Sequence, residues 1–291
     1  MASPHDLTIL YALSAEVQLG PRAIASLLLH FSDPQSVWEA DIDEIVGVGQ
    51  LNTDAANRLS DARRKYDEIN AELDHIIDEG TRVVSILDDA YPPRLRRLAD
   101  PPTVLYYRGE LPDPEQPAIA VVGTHKADAE GIADAVAWGK GLVQRGAAVI
   151  SGLARGIDGG GHTGALAADG LTYAVLGSGF NNIYPPEHRG LATKIAEHGA
   201  IISEHPPKTP LTKQRLVLRN RIIVGLSDAV VVVRVHEDTR GSMEAIRRAR
   251  NIAIPTFLVA TDTSPMSQKA VADGAIPIPQ VPDFDLVLNY L

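Results

Sequence analysis

From Ala118 onward the chain alternates short, almost wholly apolar β-rich runs with longer helical ones, and no other feature constrains its fold as much. The β-rich runs fall at residues 118–122, 147–150, 172–176, 200–202, 229–235 and 254–259, separated by helical stretches over 128–145, 157–168, 187–198, 213–226 and 242–250. Strands that are apolar on both faces must be covered on both faces, and parallel neighbours need a crossover helix between them. The pattern therefore predicts an α/β domain over residues 118–291, built on a six-stranded parallel sheet.

The segment before it reads differently. Pro21 opens a helix with Ile24, Leu27 and Leu28 at helical spacing, and residues 52–79 carry Ala55, Leu59, Ala62, Tyr66, Ile69, Leu73 and Ile76 every three or four positions, a single long helix ending at Gly80. Between them, Ile45-Val46-Gly47-Val48-Gly49-Gln50 reads as a glycine turn in a small helical bundle, or as the tight turn of a helix-hairpin-helix module. Residues 1–80 are thus expected to form a helical domain. Residues 81–117 hold a short strand at 82–87 and a connector whose prolines exclude helix.

Composition narrows the function classes. The chain of 291 residues is 45% hydrophobic, yet its apolar runs are strand-sized, short of the roughly 20 residues of a spanning helix. No membrane role is expected. The first residues lack the basic start and apolar run of a signal peptide, and cysteine is absent, which together point to the cytoplasm. Net charge is −10, so phosphate binding must rest on a local cluster of Arg and Lys rather than on the overall field.

That cluster is placed by topology. Open parallel sheets bind ligands at the carboxyl ends of their strands, where helix N-termini point. Here those ends read Gly123-Thr124-His125-Lys126, then Ser151-Gly152-Leu153-Ala154-Arg155-Gly156-Ile157-Asp158, Gly177-Ser178-Gly179 followed by Tyr184-Pro185, Ser203-Glu204-His205, and Arg240-Gly241-Ser242. Glycines at 123, 152 and 156 allow close approach of backbone to a phosphate. Ser151 and Ser242 can donate to phosphate oxygens, and Arg155, Arg219 and Arg221 can supply charge-assisted bonds. Asp158 reads first as a helix cap, and His162 shares its face without a third residue to complete a metal site. No metal is expected. No P-loop, dinucleotide fingerprint or nucleophile elbow is present, which leaves Glu244 as the one candidate acid or base.

Taken in order, these residues resemble the DNA-processing protein A family, also called DprA or Smf. The resemblance runs through Tyr91-Pro92 with Asp100-Pro101-Pro102 and Leu105-Tyr106, the block 151–158 with His162, then Tyr184-Pro185, Ile202-Ser203-Glu204 and Arg219-Asn220-Arg221 with Gly225-Leu226-Ser227. It implies an extended Rossmann fold behind a small sterile-alpha-motif-like or helix-hairpin-helix-like domain. It also implies a protein without cofactor or catalytic activity that binds single-stranded DNA, forms a homodimer through the Rossmann domain and loads the RecA recombinase during natural transformation. On this reading Gly123, Thr124, Lys126, Ser151, Gly152, Arg155, Gly156, Gly177, Ser203, Arg219, Asn220, Arg221, Gly241 and Ser242 surround the DNA. With aromatic residues at 5%, contact through the backbone with little sequence preference is expected.

Three departures stand beside the resemblance. Gly123-Thr124-His125 replaces the family's Gly-Ser-Arg, and Arg240-Gly241-Ser242-Met243-Glu244 replaces Ser-Gly-Ser-x-x-Thr. The winged-helix domain that ends many members has no counterpart in these residues. The altered 240–244 turn also resembles that of nucleotide-cleaving phosphoribohydrolases, in which Glu244 would assist N-glycosidic cleavage. A nucleotide enzyme or sensor is therefore the alternative.

Overall fold

The computed structural model describes residues 3–236, 240–259, 264–278 and 282–290. The chain forms two compact units: one of Met1–Tyr91 with Ala99–Tyr106 and Glu204–Pro207, the other of Pro92–Leu98, Tyr107–Ser203 and Lys208–Leu291.

Among its described residues the first unit contains six α-helices: α1 (Pro4–Tyr11), α2 (Pro21–Phe31), α3 (Pro34–Glu39), α4 (Ile42–Gly49), α5 (Thr53–Arg64) and α6 (Tyr66–Asp78). One π-helical turn, Ala12–Glu16, follows α1. Starts are set by short polar caps: Ser3 makes a reciprocal box with Asp6, while Asp33, Asp41 and Asn52 accept from amides of α3, α4 and α5. Their inward faces supply Ile9, Leu13, Ile24, Leu27, Val37 and Leu59 to the core. Two expectations change here. Gly47 and Gly49 lie inside α4, and the turn follows at Gln50 (φ 51°), so no tight glycine turn forms. The expected long helix breaks at Lys65 (φ −107°, ψ 21°) into α5 and α6. Apolar spacing runs through the break without losing phase, so periodicity could not reveal it. Strand β1 (Arg82–Ser85) ends the helical run, and β2 (Val104–Gly109) carries the chain into the second unit.

In the second unit seven strands pair in parallel: β3 (Ala118–Gly123), β4 (Ala148–Ser151), β5 (Thr172–Val175), β6 (Gly199–Ser203), β7 (Ala229–Arg234), β8 (Thr256–Val259) and β9 (Ile276–Ile278). Their order is β6-β5-β4-β3-β7-β8-β9. The chain winds outward from β3 to β6, returns past β3 to β7 and winds the other way. The switch point lies between β3 and β7, where open α/β sheets hold their ligands. Ile119, Val121, Val149, Val231 and Val233 fill the core from the sheet, met by Trp138 and Leu142 from α7 (Ala129–Val143). The seventh strand was not among the six expected, because Ile276-Pro277-Ile278 is three residues long and centred on a proline, which reads as loop.

The remaining helices are α8 (Ile157–Ala167), α9 (Arg189–Glu197), α10 (Lys213–Leu218), α11 (Asn220–Leu226), α12 (Arg240–Asn251), α13 (Pro265–Ala272) and α14 (Phe284–Leu288). α7 and α8 cross in backbone contact: a Cβ at Gly164 would sit 2.0 Å from the Val136 carbonyl oxygen. The expected helix over 213–226 divides at Arg219 into α10 and α11. No helix among the described residues is long and apolar enough to cross a membrane.

Candidate functional site

A cavity of about 580 Å³ opens at the carboxyl edge of the sheet, beside the switch point. Val122 and Gly123 of β3 form its floor, and the loop after β4 forms one side. That loop is held by bonds the sequence distributes along it. Ser151 Oγ donates to the Val121 carbonyl (2.6 Å), tying the end of β4 to β3. Leu153 is buried at φ 62°, a left-handed conformation unusual for leucine, and its carbonyl accepts from His188 Nδ1 (2.9 Å). Gly156 (φ 70°) then turns the chain into α8, so close that a Cβ would meet the Thr124 carbonyl oxygen at 2.4 Å.

Beneath the loop lies a buried ion pair. Asp158, in the first turn of α8, accepts from the Ala154 amide (3.4 Å) and stands 3.7 Å from Arg219 Nη2, with side chains 8% and 6% exposed respectively. Arg219 Nη1 also donates to the Val175 carbonyl at the end of β5. A Cβ at Gly152 would fall 1.8 Å from Arg219 Nη1, so glycine is what admits the guanidinium. Burial pushes the Asp158 carboxyl above its ordinary range, with Arg219 acting against it. One turn on, buried His162 donates from Nδ1 to Thr172 Oγ1 (2.7 Å), whose own proton goes to the Val149 carbonyl. Burial, with His188 and Arg219 nearby, drives His162 down to about 3, so it is neutral.

The rim is different in character. Arg155 is half exposed; its Nε donates to Glu187 Oε1, and its guanidinium lies 5.6 Å from the centre of the Tyr184 ring. Lys213, at the start of α10, and His125 are exposed cavity residues. The wall is apolar, with Ala154, Leu216, Val217, Ile223 and Ala245. Opposite the loop, the N-terminal turn of α12 presents Gly241 and Ser242, and Asn220 Nδ2 donates to the Gly241 carbonyl (3.3 Å). Ser242 Oγ is buried without a hydrogen-bond partner among the described residues.

Of the residues expected at the site, Gly123, Gly152, Arg155, Arg219, Asn220, Gly241 and Ser242 line this one cavity. Others lie outside the lining. Ser203 is buried and gives its hydroxyl to the Ser178 carbonyl (2.9 Å). Ser151 is buried and equally committed. Gly177 lies under α10, Thr124 is buried beside the exposed Lys126, and Arg221 is buried in α11. Glu244 is pinned by Arg247 and Arg248 and does not line the cavity. The side chain of Arg240 lies outside the described residues. Lys213, Glu187 and the pairing role of Asp158 were not read from the sequence. Glu187 and Asp158 act through partners more than 30 positions away, Arg155 and Arg219, which no local spacing announces.

A family model described as DNA recombination-mediator protein A matches residues 82–284. The chain belongs to this family. The DNA processing protein DprA of Bacillus subtilis is 33% identical over 241 residues, covering 80% of each chain. Protein Smf of Escherichia coli is 42% identical over 233 residues, covering 76% of this chain and 60% of that one. This chain thus spans less than two thirds of the length of several relatives, 55% for Protein Smf of Synechocystis. In structure it matches an X-ray structure of DprA from Streptococcus pneumoniae, with TM-score 0.75, 25% identity and 95% of each chain covered. It also shares the fold of DprA from Helicobacter pylori, the subject of a study of single-stranded DNA binding, with TM-score 0.63, 24% identity, and coverage of 72% of this chain and 97% of that one. The DprA/Smf family and its Rossmann-type fold are therefore those of this chain.

Proposed function

We propose that the cavity holds a short stretch of single-stranded DNA and that the protein is a recombination mediator. On this reading a homodimer formed through the α/β unit keeps the strand open for loading of a RecA-type recombinase during uptake of DNA, in the cytoplasm and without catalysis. The observation that carries it is the N-terminal turn of α12. Ser242 Oγ is buried there without a partner among the described residues, beside backbone amides that carry about half a positive charge at a helix start. Facing this anion-seeking end are the cations Arg155 and Lys213, and between them an apolar wall with the half-exposed Tyr184 ring. A phosphate at one end and a base against the wall match that division of chemistry. Lys126 is exposed next to the cavity residue His125, while Arg219 lines the cavity already paired with Asp158.

The pinned position of Glu244 supports a binding protein over a nucleotide-cleaving enzyme. Fluorescence anisotropy with labelled oligo-dT tests the reading. Strand binding through these cations predicts affinity that falls with salt, the log–log slope steepening by about 0.7 for each phosphate neutralised on a single strand. Lys213→Ala should weaken binding and reduce that slope. Competition by dTMP at equal molar affinity, or a slope near zero, would count against a strand-binding site. Release of free base from nucleotides, lost in Glu244→Gln, would favour the enzyme. Light scattering and a RecA strand-exchange assay test the dimer and the loading step.

A further inference from the structure

Two arginines face the cavity, and each has a carboxylate. The Arg219–Asp158 pair is buried, so it is permanent. The Arg155–Glu187 pair is not, since the side chains are 50% and 51% exposed and water can replace either partner. Nor does the pair hold anything in place. The strap carrying Glu187 is secured elsewhere, by Ser178 Oγ to the Asn182 carbonyl (2.8 Å), Gly179 N to the Thr209 carbonyl (2.9 Å), Asn182 Nδ2 to the Lys208 carbonyl (3.0 Å) and His188 to Leu153. Arg155 is held independently by the Tyr184 ring and by Tyr184 Oη, 3.4 Å from Nη1. What the pair does is electrical: it cancels a cation at the mouth of the cavity.

We propose that Glu187 is a resident counter-charge on Arg155, a built-in stand-in for phosphate that an incoming strand must displace or outweigh. It thereby sets the affinity of the site. The inference rests on the reading of the cavity as a phosphate site. An arginine whose charge is already met by a carboxylate attracts a phosphate weakly and contributes little to the count of phosphates whose counterions are released.

The test is oligo-dT anisotropy across a salt series with wild type, Glu187→Gln, Arg155→Ala and the double variant. Releasing the Arg155 charge to act on a bound phosphate about 4 Å away predicts binding about three- to tenfold tighter for Glu187→Gln at low salt. The slope should steepen by about 0.7, one phosphate's worth on a single strand. In the Arg155→Ala background the same change should have less than half that effect on a logarithmic scale. Unchanged or weaker binding by Glu187→Gln, with Arg155→Ala still impaired, overturns the counter-charge and leaves Glu187 as a residue that positions Arg155. An equal gain in both backgrounds also overturns it, because the effect would then not pass through Arg155. If Arg155→Ala binds as wild type does, the phosphate-site reading itself fails. Because Glu187→Gln is half exposed and isosteric, an unchanged melting temperature confirms that the comparison is between folded proteins.

Discussion

Replacing Arg219 with Met is the most informative perturbation of this molecule, because it separates what the arginine does for the fold from what it does for a ligand. Methionine retains the volume and the unbranched stem, so no sizeable cavity opens. What goes is the charge beside Asp158 and the donor to the Val175 carbonyl. An uncompensated buried carboxylate costs about 3–5 kcal/mol, and the orphaned carbonyl accounts for about 1 kcal/mol or more of an overlapping loss. A total near 4 kcal/mol is a large share of the 5–15 kcal/mol by which domains are typically stable, roughly speaking. The sign with pH follows from Asp158. Burial raises its folded pKa above the unfolded value of 3.8. The penalty for its charge therefore enters as pH rises from 3.8 through the folded value and shrinks on acidification. Without Arg219 the folded value climbs further, so Arg219→Met should recover stability between pH 7 and pH 4.5, and Arg219→Met/Asp158→Asn should recover most of it at pH 7. The assay is urea unfolding followed by Trp138, buried in the α/β core, in a Trp38→Phe background that leaves it as the single tryptophan. A loss under about 1 kcal/mol, or a double variant no better than Arg219→Met, would refute the idea that this pair is what the loop rests on.

Other outcomes can be checked with the same preparations. Gly156→Ala should cost roughly 2–4 kcal/mol, since it places a methyl 2.4 Å from the Thr124 carbonyl oxygen at φ 70°; an unchanged urea midpoint would contradict the geometry. His162, depressed to about 3, stabilises the fold fully above its unfolded value of 6.5 and loses that contribution as pH falls toward 3. Wild type should therefore lose about 2 kcal/mol more than His162→Gln between pH 7 and pH 5, and parallel curves would show that the ring is not neutral in the fold. Asp228 Oδ2 accepts from the Ala118 amide (2.9 Å), and the carboxylate accepts from Nε and Nη2 of Arg94 (2.8 Å each), joining the starts of β3 and β7. Asp228→Asn should lower the melting temperature by several degrees, whereas Asp61→Asn, on the exposed Arg64 pair, should leave it within a degree.

The sheet was legible because each central strand is apolar on both faces, a pattern that parallel burial demands and little else produces. β9 escaped since three residues around Pro277 carry no periodicity. The helix breaks at Lys65 and Arg219 escaped for the opposite reason: apolar spacing continues through both, and tertiary contacts decide where the backbone turns. At the site, the glycines and arginines of 151–158 and 219–221 announced themselves by type. Their division of labour did not. Arg155 and Arg219 look equivalent as letters, yet one meets solvent and the other is enclosed with Asp158. Ser151 and Ser242 are likewise indistinguishable until the first proves to be tied to Val121 and the second to have no partner among the described residues.

The Arg219–Asp158 pair also limits how this protein can be modified. The loop that borders the cavity is stitched to a buried charge pair, so a substitution within 151–158 is expected to alter recognition and stability together, and variants selected for one to carry losses in the other. Tyr184, Glu187, Lys213 and Val217 border the same cavity or its mouth from half-exposed or exposed positions that the pair does not touch. Libraries aimed at new ligand preferences belong there, with the loop left as found.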